Sequence, residues 1–137
     1  MSQQPFSVDA KDIILAESIF VDFIFGTNFF ISAEPDEPDT CITIYDTTGL
    51  DDDSQIDPIG YTWTQHPAIQ IRVRDNSYEE AYQTAKSIVD LLNIVPEEVN
   101  GSCYQSITKV GTIRSLGEDD RKRTRLVINF LSTREES

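Results

Sequence analysis

Apolar and polar positions alternate most strictly from Ala68 to Arg74. Ile69, Ile71 and Val73 fall on one face, and Gln70, Arg72 and Arg74 on the other. This alternation predicts a strand buried on one side only. Thr40 to Thr47 repeats the pattern, with Ile42 and Ile44 set against Thr43 and Tyr45. Phe29 to Ala33 predicts a shorter strand stopped by Pro35, since proline has no N–H to give to a ladder. Tyr61 to Gln65 alternates briefly, with Tyr61 and Trp63 on one side. Ser102 to Leu116 reads as a long polar strand. Leu126 to Leu131 reads as its partner, with Leu126, Ile128 and Phe130 on one face. The intervening Gly117-Glu118-Asp119-Asp120 predicts the turn of an antiparallel hairpin.

Helical spacing takes over in two places. From Tyr78 onward, Ala81, Tyr82, Ala85, Ile88, Val89 and Leu92 keep one face apolar, and Glu79, Glu80, Gln83, Lys86 and Asp90 line the other. Ser77 and Glu80 make a capping box ahead of it, and Asn93 and Pro96 close it. Near the N-terminus, Asp9 reads as the cap of a helix running from Ala10 to Phe25 and stopped by Gly26. Only Lys11, Ser18 and Asp22 give that helix a wet face. A helix so widely apolar needs two apolar neighbours. One is its own sheet. The other is expected to be another subunit, which makes Phe20 and Phe23 candidate contacts.

Asp46 to Gly60 holds Gly49, Asp51, Asp52, Asp53, Asp57 and Pro58, and reads as a long loop. Residues 1–8 and 132–137 are expected to be flexible termini. No internal repeat or linker divides the chain. Residues 1–137 are therefore expected to form a single α+β domain, a mainly antiparallel sheet of about five strands with two helices on one face.

Composition narrows the function more than the fold. The 137 residues are 39% hydrophobic and 26% charged, which is globular composition. A chain of this length buries roughly two-thirds of its unfolded surface and needs no disulfide or metal to fold. Asp and Glu number 24 against 11 Lys and Arg, a net charge of −13. That balance excludes a protein that holds DNA or RNA by neutralising phosphates, or one that docks on anionic lipid. Met1 to Pro5 lacks a basic region with an adjoining apolar run, so no secretory signal is expected. The apolar stretch Ile13 to Phe25 is short and carries Glu17 and Asp22, so no membrane span is expected. Cys41 and Cys103 form no CxxC pair and are expected to be reduced, buried thiols.

Candidate chemistry is sparse. His66 is the only histidine and sits before Pro67; no nucleophile-elbow sequence accompanies it, and it reads as a solvated turn residue. The run Asp51 to Asp57 concentrates carboxylates. Read as an EF-hand, however, its obligatory glycine would fall on Ile56 and its closing glutamate on Thr62. A solvated loop is the simpler reading, with a small-ligand or metal module using residues 46–60 as the alternative. Glu34, Asp36, Glu37 and Asp39 could supply the two carboxylates of a glycosidase, but on a proline-bounded turn they read as exposed charge. Tyr61 and Trp63 read as packing residues. No catalytic residue, cofactor or metal is expected. Arg72 and Arg74 project from the polar side of a strand, and Arg121, Arg123 and Arg125 cluster near the last turn. In so acidic a chain these arginines are candidates to meet acidic segments of a neighbouring copy, Asp51, Asp52 and Asp53 among them, in a head-to-tail ring.

Three stretches together resemble the tail terminator and minor capsid (neck) proteins of tailed bacteriophages. They are Ile42-Thr43-Ile44-Tyr45-Asp46-Thr47-Thr48-Gly49; Pro67 through Gln70-Ile71-Arg72-Val73-Arg74-Asp75 into Ser77-Tyr78-Glu79-Glu80-Ala81; and Leu116-Gly117-Glu118-Asp119-Asp120 with Arg123, ending in Val127-Ile128-Asn129-Phe130. Their order and spacing, behind an apolar opening helix, carry the resemblance over most of residues 9–131. It implies a structural virion protein, assembled in the host cytoplasm, with no catalytic residues. It implies a ring, typically hexameric, at the head-proximal end of the tail tube, contacting the tube protein on one side and a neck or connector protein on the other. DNA would pass through the lumen without specific binding, and an acidic wall suits that passage. Another connector component, such as a head-completion or stopper protein, is the alternative.

Overall fold

The computed structural model describes residues 3–57, 60–93 and 97–136; of residues 51–57, 60–63 and Glu136 it describes the backbone alone. Helix α1 spans Phe6–Leu15, and a 3-10 turn follows at Ser18–Phe20. Strands β1 (Phe29–Ile31), β2 (Cys41–Asp57) and β3 (Gly60–Asp75) lead into helix α2 (Tyr78–Leu92). Strands β4 (Glu97–Val99), β5 (Ser102–Glu118) and β6 (Thr124–Glu136) complete the chain. All six strands form one sheet in the order β1-β2-β3-β6-β5-β4. Every pairing is antiparallel except β1 with β2, which is parallel. The expected α+β class holds. The sixth strand is β4, three residues whose charged Glu97-Glu98 pair gives no alternation to read.

Both helices lie on the face that the alternation predicted to be apolar. Ile42, Ile44, Ile69, Ile71, Val73, Leu126, Ile128 and Phe130 point into a core shared with Phe6, Ala10 and Ile14 of α1 and Ala81, Ala85, Ile88 and Leu92 of α2. Helix α2 starts where its cap requires. Ser77 Oγ accepts from the Glu80 N–H at 3.4 Å, and Asp75 Oδ1 accepts from the Ser77 N–H at 3.2 Å.

The N-terminal helix departs from expectation at both ends. It begins at Phe6, not Ala10. Its first turn is held by Asp46 of β2, whose carboxylate accepts from Ser7 N–H at 3.1 Å and Ser7 Oγ at 2.6 Å, where a helix N-terminus favours negative charge. It ends at Leu15, well short of Phe25. Glu17 is extended, and Asn28 ties the following turn by accepting from Ile24 N–H (2.7 Å) and donating to the Asp22 carbonyl (3.0 Å). The physical reason is the lack of a wet face: apolar residues at 19, 20, 21, 23, 24 and 25 cannot all face a core from one helix. Breaking the helix sends Phe20 inward, with Phe23 partly buried beside it.

Where a loop was expected at 46–60, residues 46–57 and Gly60 are instead strand. Strands β2 and β3 pair from Cys41↔Arg74 out to Asp57↔Gly60, with irregularities at Thr47/Leu50 and Leu50/Asp53. Backbone hydrogen bonds are indifferent to the aspartates that made this tract look like a loop. At Gly49 the strands approach so closely that a Cβ would lie 1.9 Å from the His66 carbonyl oxygen; only glycine fits. At the termini, residues 6–8 belong to α1 and 132–136 to β6.

Candidate assembly surfaces

Three features could contact another molecule. The first is the segment after α1. Phe20 is 3% exposed, while Ile19 is 68%, Val21 75%, Ile24 59% and Phe25 51% exposed. Phe23 is half-buried and packs its ring 5.9 Å from that of Phe20. Of the two phenylalanines proposed from sequence, Phe20 is therefore core. The apolar surface lies on its neighbours, which periodicity could not single out because it assumed one continuous helix. An exposed cluster of this kind marks a contact site more often than it decorates a monomer.

The second is a charged cleft of about 430 Å³ on the sheet face opposite the helices. Arg74 is buried there. It donates to the Pro38 carbonyl at 2.6 Å and to the Asp39 carbonyl at 3.3 Å, and lies 3.6 Å from Glu34. Arg123 is also buried, 2.8 Å from Asp119 and 3.3 Å from Asp39. Arg121 pairs with Glu37. Arg125 donates from Nη2 to the Leu116 carbonyl at 3.2 Å, while its buried Nε has no partner among the described residues. Arg72 lies apart, over the Tyr45 ring at 5.0 Å and bonded to Gln70 at 2.9 Å. Within the acidic 34–39 segment Asp36 and Glu37 are exposed, as expected, while Glu34 is largely covered beside Arg74. The segment wraps the sheet and binds this chain's own arginines. The Arg123 backbone N–H, then its guanidinium, hold the Asp119 carboxyl below the usual range.

The third is the outer rim of the sheet, where β1 and β4 are only three residues long each. The β2–β3 hairpin projects past its neighbours as an arm that carries Asp51, Asp52 and Asp53. The side chains of these three, with those of Asp57, Tyr61 and Trp63, lie outside the described residues.

Sequence patterning also missed a buried polar cluster. Asp9, read as a cap, is fully buried. It accepts from Tyr104 Oη at 2.5 Å, Asn100 Nδ2 at 2.8 Å and Arg134 Nη1 at 3.3 Å. Burial dominates and raises the Asp9 pKa, and the same burial raises that of Tyr104. The cluster fastens α1 to β5 and β6. His66 lies half-buried, Nδ1 3.2 Å from Thr133 Oγ1. Cys41 is buried and Cys103 half-buried, both free thiols. Among the described residues no three His, Cys, Asp or Glu side chains gather as metal ligands do.

The fold is thus a six-stranded sheet covered on one face by two helices, with exposed apolar residues after α1 and a charged cleft. Among solved structures, a chain of the virion of a native gene transfer agent particle has a similar fold. It is 13% identical, with 96% of this chain and 95% of that one aligned at a TM-score of 0.67. No curated protein matches in sequence. The model of the bacteriophage tail terminator protein family matches residues 6–135. The chain belongs to that family, and so to the structural proteins of the phage tail.

Proposed function

We propose that this chain forms a closed ring, a hexamer, at the head-proximal end of the tail tube. There it ends tube polymerisation and joins the tail to the neck and head. The observation that carries this reading is the family match, which spans nearly the whole described chain. The physical surfaces agree with it. Exposed Ile19, Val21, Ile24 and Phe25 offer the desolvated contact that must supply most of the binding energy in an assembly. Rim charges set register and encounter rate. The partners are further copies of this chain, the tail tube protein and a neck or connector protein. The protein resides in the virion and catalyses no reaction. With a net charge of −13, the lumen wall repels DNA in transit and does not hold it.

Within the ring, the candidate contacts are the arm bearing Asp51, Asp52 and Asp53, Arg72 on the sheet face, the cleft rim at Arg121 and Arg125, and Phe23 beside the exposed apolar segment. Arg74 and Arg123 are already paired inside their own chain and contribute by holding the 34–39 segment in place. Phage made without this protein should yield tubes of uncontrolled length that fail to join heads. Tubes of normal length beside filled, tailless heads would reassign the protein to the head side of the neck, as a completion or stopper component. Complete virions lacking it would overturn both readings.

A further inference from the structure

We propose that copies of this chain join edge to edge, the acidic arm of β2 in one copy lying along the bare edge of β5 in the next. The proposal rests on the ring reading and names its contact.

The sheet leaves two long strand edges open. Strand β1 covers β2 only at Ile42–Ile44, and β4 covers β5 only at Ser102–Tyr104. From Tyr45 to Asp57 on β2, and from Gln105 to Glu118 on β5, no strand lies on the outer side among the described residues. The arm is barer still. Strand β6 last pairs with β3 at Thr64↔Glu135, so among the described residues Gly60–Trp63 pairs with β2 alone. A two-stranded ribbon by itself is marginally stable in water. Proteins blunt such edges with charge, above all lysine, with proline or with bulges. Residues 45–57 contain neither lysine nor proline. This tract has acidic charge and two irregularities, which turn away like edges but not a basic one.

Charge decides which edges can meet. Residues 45–57 carry five aspartates and no base; of these, Asp46 is engaged by Ser7. Residues 105–118 carry Lys109 and Arg114, with a single acid, Glu118, at the far end. Neither base has an ion-pair partner among the described residues. Two β2 edges would repel, so an isologous pair through the arms is disfavoured. A β2 edge against a β5 edge is attractive. That selects head-to-tail contact, which closes into a ring or runs on as a filament.

Strand direction agrees. Three successive antiparallel pairings separate β2 from β5, so the two strands run oppositely. A second copy in the same orientation then adds an antiparallel ladder. The open tract of β2 lies towards the arm, and that of β5 towards the opposite end of the sheet. Matching them slides each copy along its strands relative to the last. Such a stagger is what a sheet needs to close on itself.

The test uses charge exchange. One full-length variant carries Lys109→Glu and Arg114→Glu; a second carries Asp51→Lys, Asp52→Lys and Asp53→Lys. Native mass spectrometry should find each variant weakened in self-association at least about tenfold, with circular dichroism unchanged. An equal mixture should recover the oligomer, because every contact then joins opposite charges. In parallel, hydrogen exchange on the unmodified protein should show amides of 45–57 and 105–118 gaining protection on assembly. This second measurement decides the matter if a variant fails to fold. Variants that assemble as well as wild type, or edges left unprotected in the wild-type oligomer, overturn this contact and leave the ring reading intact. A wild-type chain that stays monomeric both alone and beside tail tubes overturns both.

Discussion

At Asp9, burial and hydrogen bonding pull in opposite directions. Burial raises the carboxyl pKa above its ordinary 3.8 and outweighs the hydrogen bonds from Tyr104 and Asn100 and the charge of Arg134, which lower it. The folded value therefore lies above the unfolded one. The contribution of Asp9 to stability is full below the unfolded value and is lost as pH rises through the folded value. An Asp9→Asn variant keeps the shape and loses the titration. The stability of the wild type relative to this variant should fall as pH climbs through the mildly acid range. Urea midpoints at a series of pH values measure that difference, and a difference that grows with pH would reverse the assignment. Asp119 has the opposite sign, since Arg123 lowers its pKa; its contribution is present above the unfolded value and lost on acidification.

At the scale of the element, the β2–β3 hairpin depends on one position. A side chain at Gly49 would meet the His66 carbonyl oxygen across the ladder. Gly49→Ala should therefore lower stability by about 1–3 kcal/mol through overpacking, read as a lower denaturant midpoint. An unchanged midpoint would mean the strands can part there freely. How far the elements were legible follows from what each one buries. Helix α2 and the inner part of β3, Ala68 to Arg74, were readable nearly to the residue, because their apolar positions repeat against a single core face from Ile69 to Val73 and from Ala81 to Leu92. The separate segment read at Tyr61–Gln65 is the outer part of β3. The outer half of β2 was not readable, because its hydrogen bonds leave no mark on side-chain pattern. Helix α1 was misread because Ile19, Val21, Ile24 and Phe25 face solvent in the monomer, a placement that hydrophobicity alone reads as burial. The charged cleft was half legible. Its arginines and acids stood out, but their mutual pairing needed the fold that brings residue 39 beside residue 123.

For the whole molecule, adjacent residues separate folding from assembly. Phe20 is core and Val21 is 75% exposed. Phe20→Asp buries an unpaired charge and should unfold the domain. Val21→Asp should leave circular dichroism and melting unchanged and weaken association with copies or tubes. Sedimentation with purified tubes, beside a thermal melt, distinguishes the two. If Val21→Asp associates as the wild type does, the exposed segment is not a contact.

The sheet order also sets a timetable. Strands β2 and β3 follow each other closely in sequence, as do β5 and β6, yet the central seam pairs Ile71 with Ile128 across an intervening helix and hairpin. Local hairpins can close early; a seam between distant parts of the chain closes late and slows folding. Until it closes, the inner edges of both half-sheets stand open alongside the outer ones. An Ile71→Val change at the seam should chiefly retard refolding if seam closure limits the rate, and stopped-flow refolding reads this directly. A newly synthesised subunit is therefore most adhesive before it is finished, and crowding many copies together too early would favour tangled ribbons over ordered assemblies.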